Sequence, residues 1–140
     1  MKIVVFVLLC LFCPIISSVD LIIWGEYDNS ILLDRFAIQR IFTRKIIRWP
    51  NGQYINVFIK PIHSIEHRDF VKTVLQITPY YFEQQLEEQT YTGRSTSVTE
   101  VPNDQQMLVK ISSTPGAIGY INYEIYIDNK RVFIIDPSVL

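Results

Sequence analysis

The chain has 140 residues, a formal net charge of −1 at neutral pH and 49% hydrophobic residues. A nearly neutral chain has no bulk attraction for nucleic acid or for an anionic membrane, so binding driven by overall charge is excluded. A chain of this length forms one domain, which buries roughly two thirds of its unfolded surface.

The first residues have the pattern of a secretory signal peptide. Lys2 gives a charged start, an apolar run follows, and small residues end at Ser18. The run is interrupted by Pro14 and is shorter than the about 20 apolar residues of a membrane-spanning helix. We expect residues 1–18 to be removed, so that a domain of residues 19–140 is periplasmic or secreted, without stable membrane insertion; an uncleaved anchor is the alternative.

Both cysteines, Cys10 and Cys13, lie in this leader. The mature domain therefore has no thiol for a disulfide, a thiolate nucleophile or a cysteine-bound metal. Its stability is expected to come from a packed core, and no cofactor is predicted.

The first half of the mature chain is predicted as strand, helix, turn and strand. Residues 21–24 are a short apolar run typical of a buried strand. Asp34 is a favourable N-cap for a helix over residues 35–43. Residues 49–52 predict a turn, because Asn-Gly tolerates positive φ, and residues 55–59 predict a strand.

Basic residues are concentrated in this half, and glutamates follow later in the chain. Such a pattern is typical of the solvated faces of two helices. The sequence therefore predicts exposed side chains for the early basic residues, which are Arg35, Arg40, Arg44, Lys45 and Arg48.

Two helices and a loop are predicted next. Ser64 is a suitable N-cap for a helix whose apolar residues recur at helical spacing. Thr78 followed by Pro79 predicts the start of another helix, which should end near Gly93. Residues 94–102, rich in serine and threonine, are predicted to form an exposed loop.

A helix and two strands complete the predicted elements. Asn103 resembles the first residue of a capping box and predicts a short helix. Residues 117–121 and 132–135 predict strands, the second preceded by a turn at residues 128–130. Strands alternating with helices indicate an α/β domain with a mixed sheet.

Two stretches carry a resemblance to a known family. Residues 113–123, STPGAIGYINY, closely resemble a TPGAIGY segment, and residues 40–59, RIFTRKIIRWPNGQYINVFI, resemble an "IF-x-GK-x-x-x-W-x-x-G" segment, of the phosphate-binding proteins of bacterial ABC importers. TYTG at residues 90–93 adds a shorter similarity, and the resemblance spans roughly residues 31–123. It implies a periplasmic-binding-protein-like (type II) single lobe with a mixed sheet flanked by helices, and a non-enzymatic module that binds phosphate or a related oxyanion.

The resemblance also implies a position for the anion. Residues 60–75, KPIHSIEHRDFVKTVL, occupy the place of the family's phosphate loop, and Ser64 stands where the family has a phosphate-contacting serine. A helix N-terminus offers unpaired N–H groups and partial positive charge to such an anion. The predicted anion-binding residues are Ser64, Arg68, His63, His67 and, from a neighbouring loop, Thr92 and Arg94.

The phosphate loop departs from the family's pattern. His63 replaces a glycine, Ile65 replaces a glycine or proline, and Glu66 places a repelling charge in the first helical turn. Protonated His63 and His67 would compensate, and a site that required them would weaken above a pKa near 6.5. The family's first-lobe loop also has no counterpart at residues 20–30, so a second protein chain would be needed to complete the cleft. The alternative is an interaction protein that keeps the fold and contacts a partner protein.

The same stretch contains HxxEH, a spacing found in zinc peptidases. Such a site needs both histidines on one helical face and a third ligand. If Ser64 caps the helix, His63 lies outside it and this geometry fails, so we expect two solvent-facing histidines and no metal. GxSxG, P-loop and GxGxxG motifs are absent from the sequence, and an enzyme is not predicted.

Overall fold

A five-stranded mixed sheet forms the centre of the computed structural model. The structure describes residues 19–24, 33–93, 98–122 and 132–135; of residues 19–24, 122 and 132–135 it describes the backbone alone. The strands are β1 Val19–Trp24, β2 Asn56–Ile59, β3 Val98–Glu100, β4 Ala117–Asn122 and β5 Val132–Ile135. Their order is β3-β2-β4-β1-β5, with β2 parallel to β3 and β4, and β1 antiparallel to β4 and β5. The predicted mixed sheet is confirmed.

Four α-helices flank the sheet, and each begins at the predicted residue. They are α1 Arg35–Phe42, α2 Ile65–Phe70, α3 Pro79–Tyr91 and α4 Asp104–Ser113. In each case the side-chain oxygen of the N-cap accepts a hydrogen bond from a backbone N–H three residues on, which satisfies a donor that the first turn leaves unpaired. These N-caps are Asp34, Ser64, Thr78 and Asn103. α2 continues directly into a π-helical turn, Val71–Leu75.

The two faces of the sheet bury separate groups of side chains. Ile118 and Tyr120 of β4 point to the face covered by α1, α2, the π turn and α3, where they join Phe42, Phe70 and Phe82. The alternate residues of β4 point to the other face, against Met107 and Ile111 of α4. Burial of each such side chain contributes about 1.5–3 kcal/mol. The result is a three-layer α/β/α arrangement.

The predicted loop over residues 94–102 is wrong for residues 98–100, which form β3. This strand is short and polar, and it lies at the edge of the sheet, where Val98 pairs with Val57 of β2. This strand is held by backbone hydrogen bonds to β2, and its side chains show no apolar alternation from which a strand could be predicted. Residues 94–97 lie outside the described part of the chain.

The expectation that the early basic residues face solvent is wrong for Arg44, which is 3% exposed. The chain reverses here with a positive φ of 63°, just beyond the end of α1. The guanidinium Nη1 donates a hydrogen bond of 2.9 Å to the carbonyl oxygen of Ile55, and burial lowers the pKa of Arg44 to about 10. This arginine joins α1 to the start of β2.

The predicted leader, residues 1–18, and the predicted turn at residues 128–130 lie outside the described residues. Within the described ranges, the longest helix is α3, with 13 residues. None of the helices in these ranges has the length and apolar character needed to span a bilayer.

Gly116 connects α4 to β4 at a crowded position. Its φ is 69°, and a Cβ atom there would lie 2.5 Å from the carbonyl oxygen of Tyr54. Its own carbonyl accepts hydrogen bonds from the indole Nε1 of Trp49, at 3.0 Å, and from the backbone N–H of Asn56, at 3.1 Å. The Pro-Gly turn therefore anchors the beginning of β4 beside the beginning of β2.

We expect Gly116→Ala to lower the free energy of unfolding by at least about 2 kcal/mol, because left-handed backbone strain is combined with a clash against backbone. Gly52 is the matched control, since it also has positive φ but a Cβ there meets no atom within 4 Å. Gly52→Ala should cost only about 1 kcal/mol. Urea unfolding of both variants measures the difference, and equal losses would contradict the packing assigned to Gly116.

Candidate functional site

A cleft of about 400 Å³ opens where the parallel strands β2 and β3 end. The chain leaves β2 toward α2 and leaves β3 toward α4, so the N-termini of both helices meet at this edge of the sheet. In α/β sheets, ligands bind beyond the carboxyl ends of the strands. The cleft is lined by Lys60, Pro61, Ser64, Glu66, Pro102, Asn103, Asp104 and Gln105.

Lys60 is the cation of this cleft, and it is not among the site residues predicted from the sequence. It follows directly after β2, its side chain is only 7% exposed, and its ammonium forms an ion pair with the carboxylate of Asp104, the first residue of α4. Lysine is almost never this buried without a partner or a role. The only feature of the sequence that indicates a role for Lys60 is its position between the apolar strand β2 and the helix capped by Ser64.

Ser64, one of the predicted anion-binding residues, lines the cleft. Its hydroxyl oxygen also accepts a hydrogen bond of 3.2 Å from the N–H of His67, which fixes the start of α2. Glu66 contributes a second carboxylate to the lining. The cleft therefore has one positive and two negative side chains, with the lysine already paired.

The expectation of two solvent-facing histidines is wrong for His67, which is 1% exposed. Its Nδ1 lies 2.7 Å from the hydroxyl oxygen of Tyr120, and the same oxygen accepts a hydrogen bond of 2.8 Å from the N–H of Lys60. The hydroxyl has one proton to donate, and we assign it to the bond with Nδ1, so that His67 is a neutral acceptor there. The imidazole also packs edge-on against the ring of Phe82.

Burial, with a smaller contribution from the charge of His63, lowers the pKa of His67 from 6.5 to about 4. Burial also raises the pKa of Tyr120 well above its ordinary value. Both partners are therefore neutral near pH 7. His67 does not supply the positive charge that the predicted anion site required, because its ring lies in the core.

The zinc-peptidase geometry is absent. His63 precedes α2, with an exposed side chain 3.9 Å from the carboxylate of Glu83, whereas His67 points into the core. The prediction that the Ser64 cap would leave His63 outside the helix is confirmed. Within the part of the chain that the structure describes, no three His, Cys, Asp or Glu side chains cluster closely enough to hold a metal ion.

Arg68 and Thr92 are not among the residues that line the cleft. Arg68 is exposed on α2. Thr92 ends α3, where its hydroxyl donates a hydrogen bond of 3.1 Å to the carbonyl of Gln89. Arg94 lies outside the described residues. Of the six predicted residues, the structure places Ser64 in the cleft lining.

The buried neutral His67 predicts a pH-dependent stability. Because its pKa is lower in the folded chain than in the unfolded chain, the unfolded chain binds more protons between pH 6.5 and about 4. The free energy of unfolding should therefore fall as the pH drops through this window, by about 2 kcal/mol at pH 5. Urea unfolding at several pH values measures it.

The matched control is His63, a histidine in the same segment with an exposed side chain. His63→Asn should retain most of the loss at acid pH, whereas His67→Asn should be less stable at neutral pH and show a smaller loss on acidification. If His63→Asn removed the acid sensitivity and His67→Asn kept it, the neutral, buried state of His67 would be contradicted.

Two solved structures are similar to this chain. PstS from Borrelia burgdorferi superposes with a TM-score of 0.58 and 18% identity, covering 76% of this chain and 40% of that one. An ABC-type phosphate transport receptor from Vibrio cholerae superposes with a TM-score of 0.59 and 16% identity, covering 85% of this chain and 46% of the receptor. No protein-family model matches the sequence, and no curated protein sequence does. The alignments span less than half of each of these two chains, and at these identities they show the fold alone: an α/β fold of one lobe, similar to part of each neighbour, as the sequence resemblance implied.

Proposed function

We propose that the chain is a non-enzymatic, extracytoplasmic solute-binding module whose cleft takes phosphate or a related oxyanion. The observation that carries this proposal is the buried Lys60 at the carboxyl end of β2, beside Ser64. In this view the leader is removed, and residues 19–140 act as one domain in the periplasm or outside the cell.

The chemistry of the cleft supports an oxyanion as its ligand. A lysine ammonium gives a charge-assisted hydrogen bond to an anionic oxygen, and such bonds are about twice as strong as neutral ones. The N-terminus of α4, a ten-residue helix, adds partial positive charge at the same edge of the sheet. The hydroxyl of Ser64 supplies a neutral hydrogen-bonding group beside Lys60.

The Vibrio cholerae neighbour supports the same class of ligand, since it is named as an ABC-type phosphate transport receptor. Both structural neighbours are also more than twice as long as the aligned region, and the cleft of this chain is open to solvent. We therefore propose that a second chain completes the cleft. A second copy of this chain and a different protein are both compatible with this role.

The test is a calorimetric titration of the purified chain with phosphate and with sulfate. Lys60→Met should weaken phosphate binding at least about tenfold, since a hydrogen bond to a charged group contributes about 1.5–3 kcal/mol. Ser64→Ala should weaken it by a smaller factor and should also cost about 1 kcal/mol of stability through the lost cap.

Lys110 provides the control, because it lies exposed on α4 and its loss changes the net charge by the same amount. Lys110→Met should bind phosphate as the unmodified chain does. Equal losses in the two lysine variants would mean that binding reflects overall charge. A folded chain that gave no heat with either anion would contradict the proposed function.

The alternative of an interaction protein is favoured by Ile65, which follows Ser64 and is 75% exposed. A large apolar side chain at the rim of a cleft whose lysine is already paired suits contact with another protein. The combined change His63→Gly and Glu66→Thr distinguishes the two functions, because it removes one negative charge and frees the backbone before Ser64. It should strengthen phosphate binding in a solute-binding module and leave an interaction protein without measurable phosphate binding.

A further inference from the structure

The ion pair between Lys60 and Asp104 lies within the cleft itself. Both residues line it, and their side chains are 7% and 13% exposed. Lys60 lies at the end of β2 and Asp104 at the start of α4, so their ion pair links the two walls of the cleft. The carboxylate of Asp104 is therefore paired with the ammonium group that a bound oxyanion would use.

Stability alone gives a weak reason for this pair. Removing two charges from water costs several kcal/mol per ion, and their mutual attraction offsets this cost only when further hydrogen bonds are present. Lys60 and Asp104 come together where the α4 dipole already favours a negative charge. The carboxylate of Asp104 therefore holds the position that the local charges would give to an external anion.

We propose that Asp104 is a resident competitor of the cleft's ligand, so that an oxyanion binds by displacing its carboxylate from Lys60. This inference rests on the proposed function and determines its selectivity: the ligand must interact with Lys60 more strongly than a tethered carboxylate does. A singly charged, diffuse anion fails this requirement, and a compact, doubly charged oxyanion meets it.

The other nearby carboxylates allow the competitor to be distinguished from general repulsion. Glu66 lines the same cleft, in the first turn of α2. The carboxylate of Glu100, at the end of β3, accepts a hydrogen bond of 3.3 Å from the backbone N–H of Ile62. Among the described residues, the ion pair of Lys60 is formed with Asp104. Asp104, the proposed competitor, and Glu66, which would act on an anion only by repulsion, therefore carry the same charge at different positions in the cleft.

The experiment compares phosphate affinities of the unmodified chain, Asp104→Asn and Glu66→Gln by calorimetry at constant ionic strength. Each variant removes one negative charge from the cleft. We expect Asp104→Asn to bind phosphate at least about tenfold more tightly, and Glu66→Gln to gain less than about threefold. Adding Lys60→Met to Asp104→Asn should abolish the gain, because the ammonium for which the carboxylate competes is then absent. The single and double variants form a double-mutant cycle that measures this coupling.

Failure of this inference is distinguishable from failure of the proposed function. If Lys60→Met weakens phosphate binding but Asp104→Asn gains no more than Glu66→Gln, or binds more weakly, Asp104 is not a competitor and the proposed function stands. If neither the unmodified chain nor folded Asp104→Asn binds phosphate, both are overturned. Binding that emerges only in Asp104→Asn would show that phosphate does not displace the carboxylate in the unmodified chain, which contradicts both this inference and the proposed function.

Asp104→Ser is a second variant, because serine keeps a small polar group at the start of α4 and also removes the charge. It should reproduce the gain if Asp104→Asn is unstable. In the unmodified chain, the carboxyl carbon resonance of Asp104, observed with ¹³C-labelled aspartate, should shift on phosphate addition. A resonance that stayed unchanged at saturating phosphate would contradict displacement.

Discussion

The two hydrogen bonds of the Tyr120 hydroxyl are the interactions on which the cleft depends. The hydroxyl accepts from the backbone N–H of Lys60 and is hydrogen-bonded to Nδ1 of His67, so it joins β4, the end of β2 and α2 at one buried point. The ring stacks on Phe70 at 3.8 Å between centroids, which leaves the hydroxyl little freedom. The position of the cleft wall that carries Lys60 and Ser64 is therefore set from inside the core.

Residues 60–67 divide their polar groups between two environments. The backbone of Lys60 and the side chain of His67 belong to a neutral network in the core, whereas the side chains of Lys60 and Ser64 belong to the cleft. Charge is unfavourable in the first environment because it is desolvated, and is stabilised in the second because Asp104 pairs with Lys60. One short segment thus contributes both to the packed core and to the cleft.

Local signals made much of the fold predictable from sequence. The N-caps at Ser64 and Thr78 and the turn at Gly52 depend on a few neighbouring residues, and they appear where predicted. Lys60, His67 and Arg44 were not predictable in this way, because their burial depends on strands and helices distant in sequence. The HxxEH spacing was similarly ambiguous, since the helix cap, not the spacing, decides which face each histidine takes.

The interior position of β1 in the sheet has a consequence for how the domain forms. β1 pairs on one side with β4 and on the other with β5, the last described strand, whereas the parallel pairs of β2 involve strands closer in sequence. Contacts between distant parts of a chain are slow to form because a long loop must close first. Among the described strands, the first to be synthesised therefore remains without its partners until residues 117–135 have emerged, and its pairing is a late step.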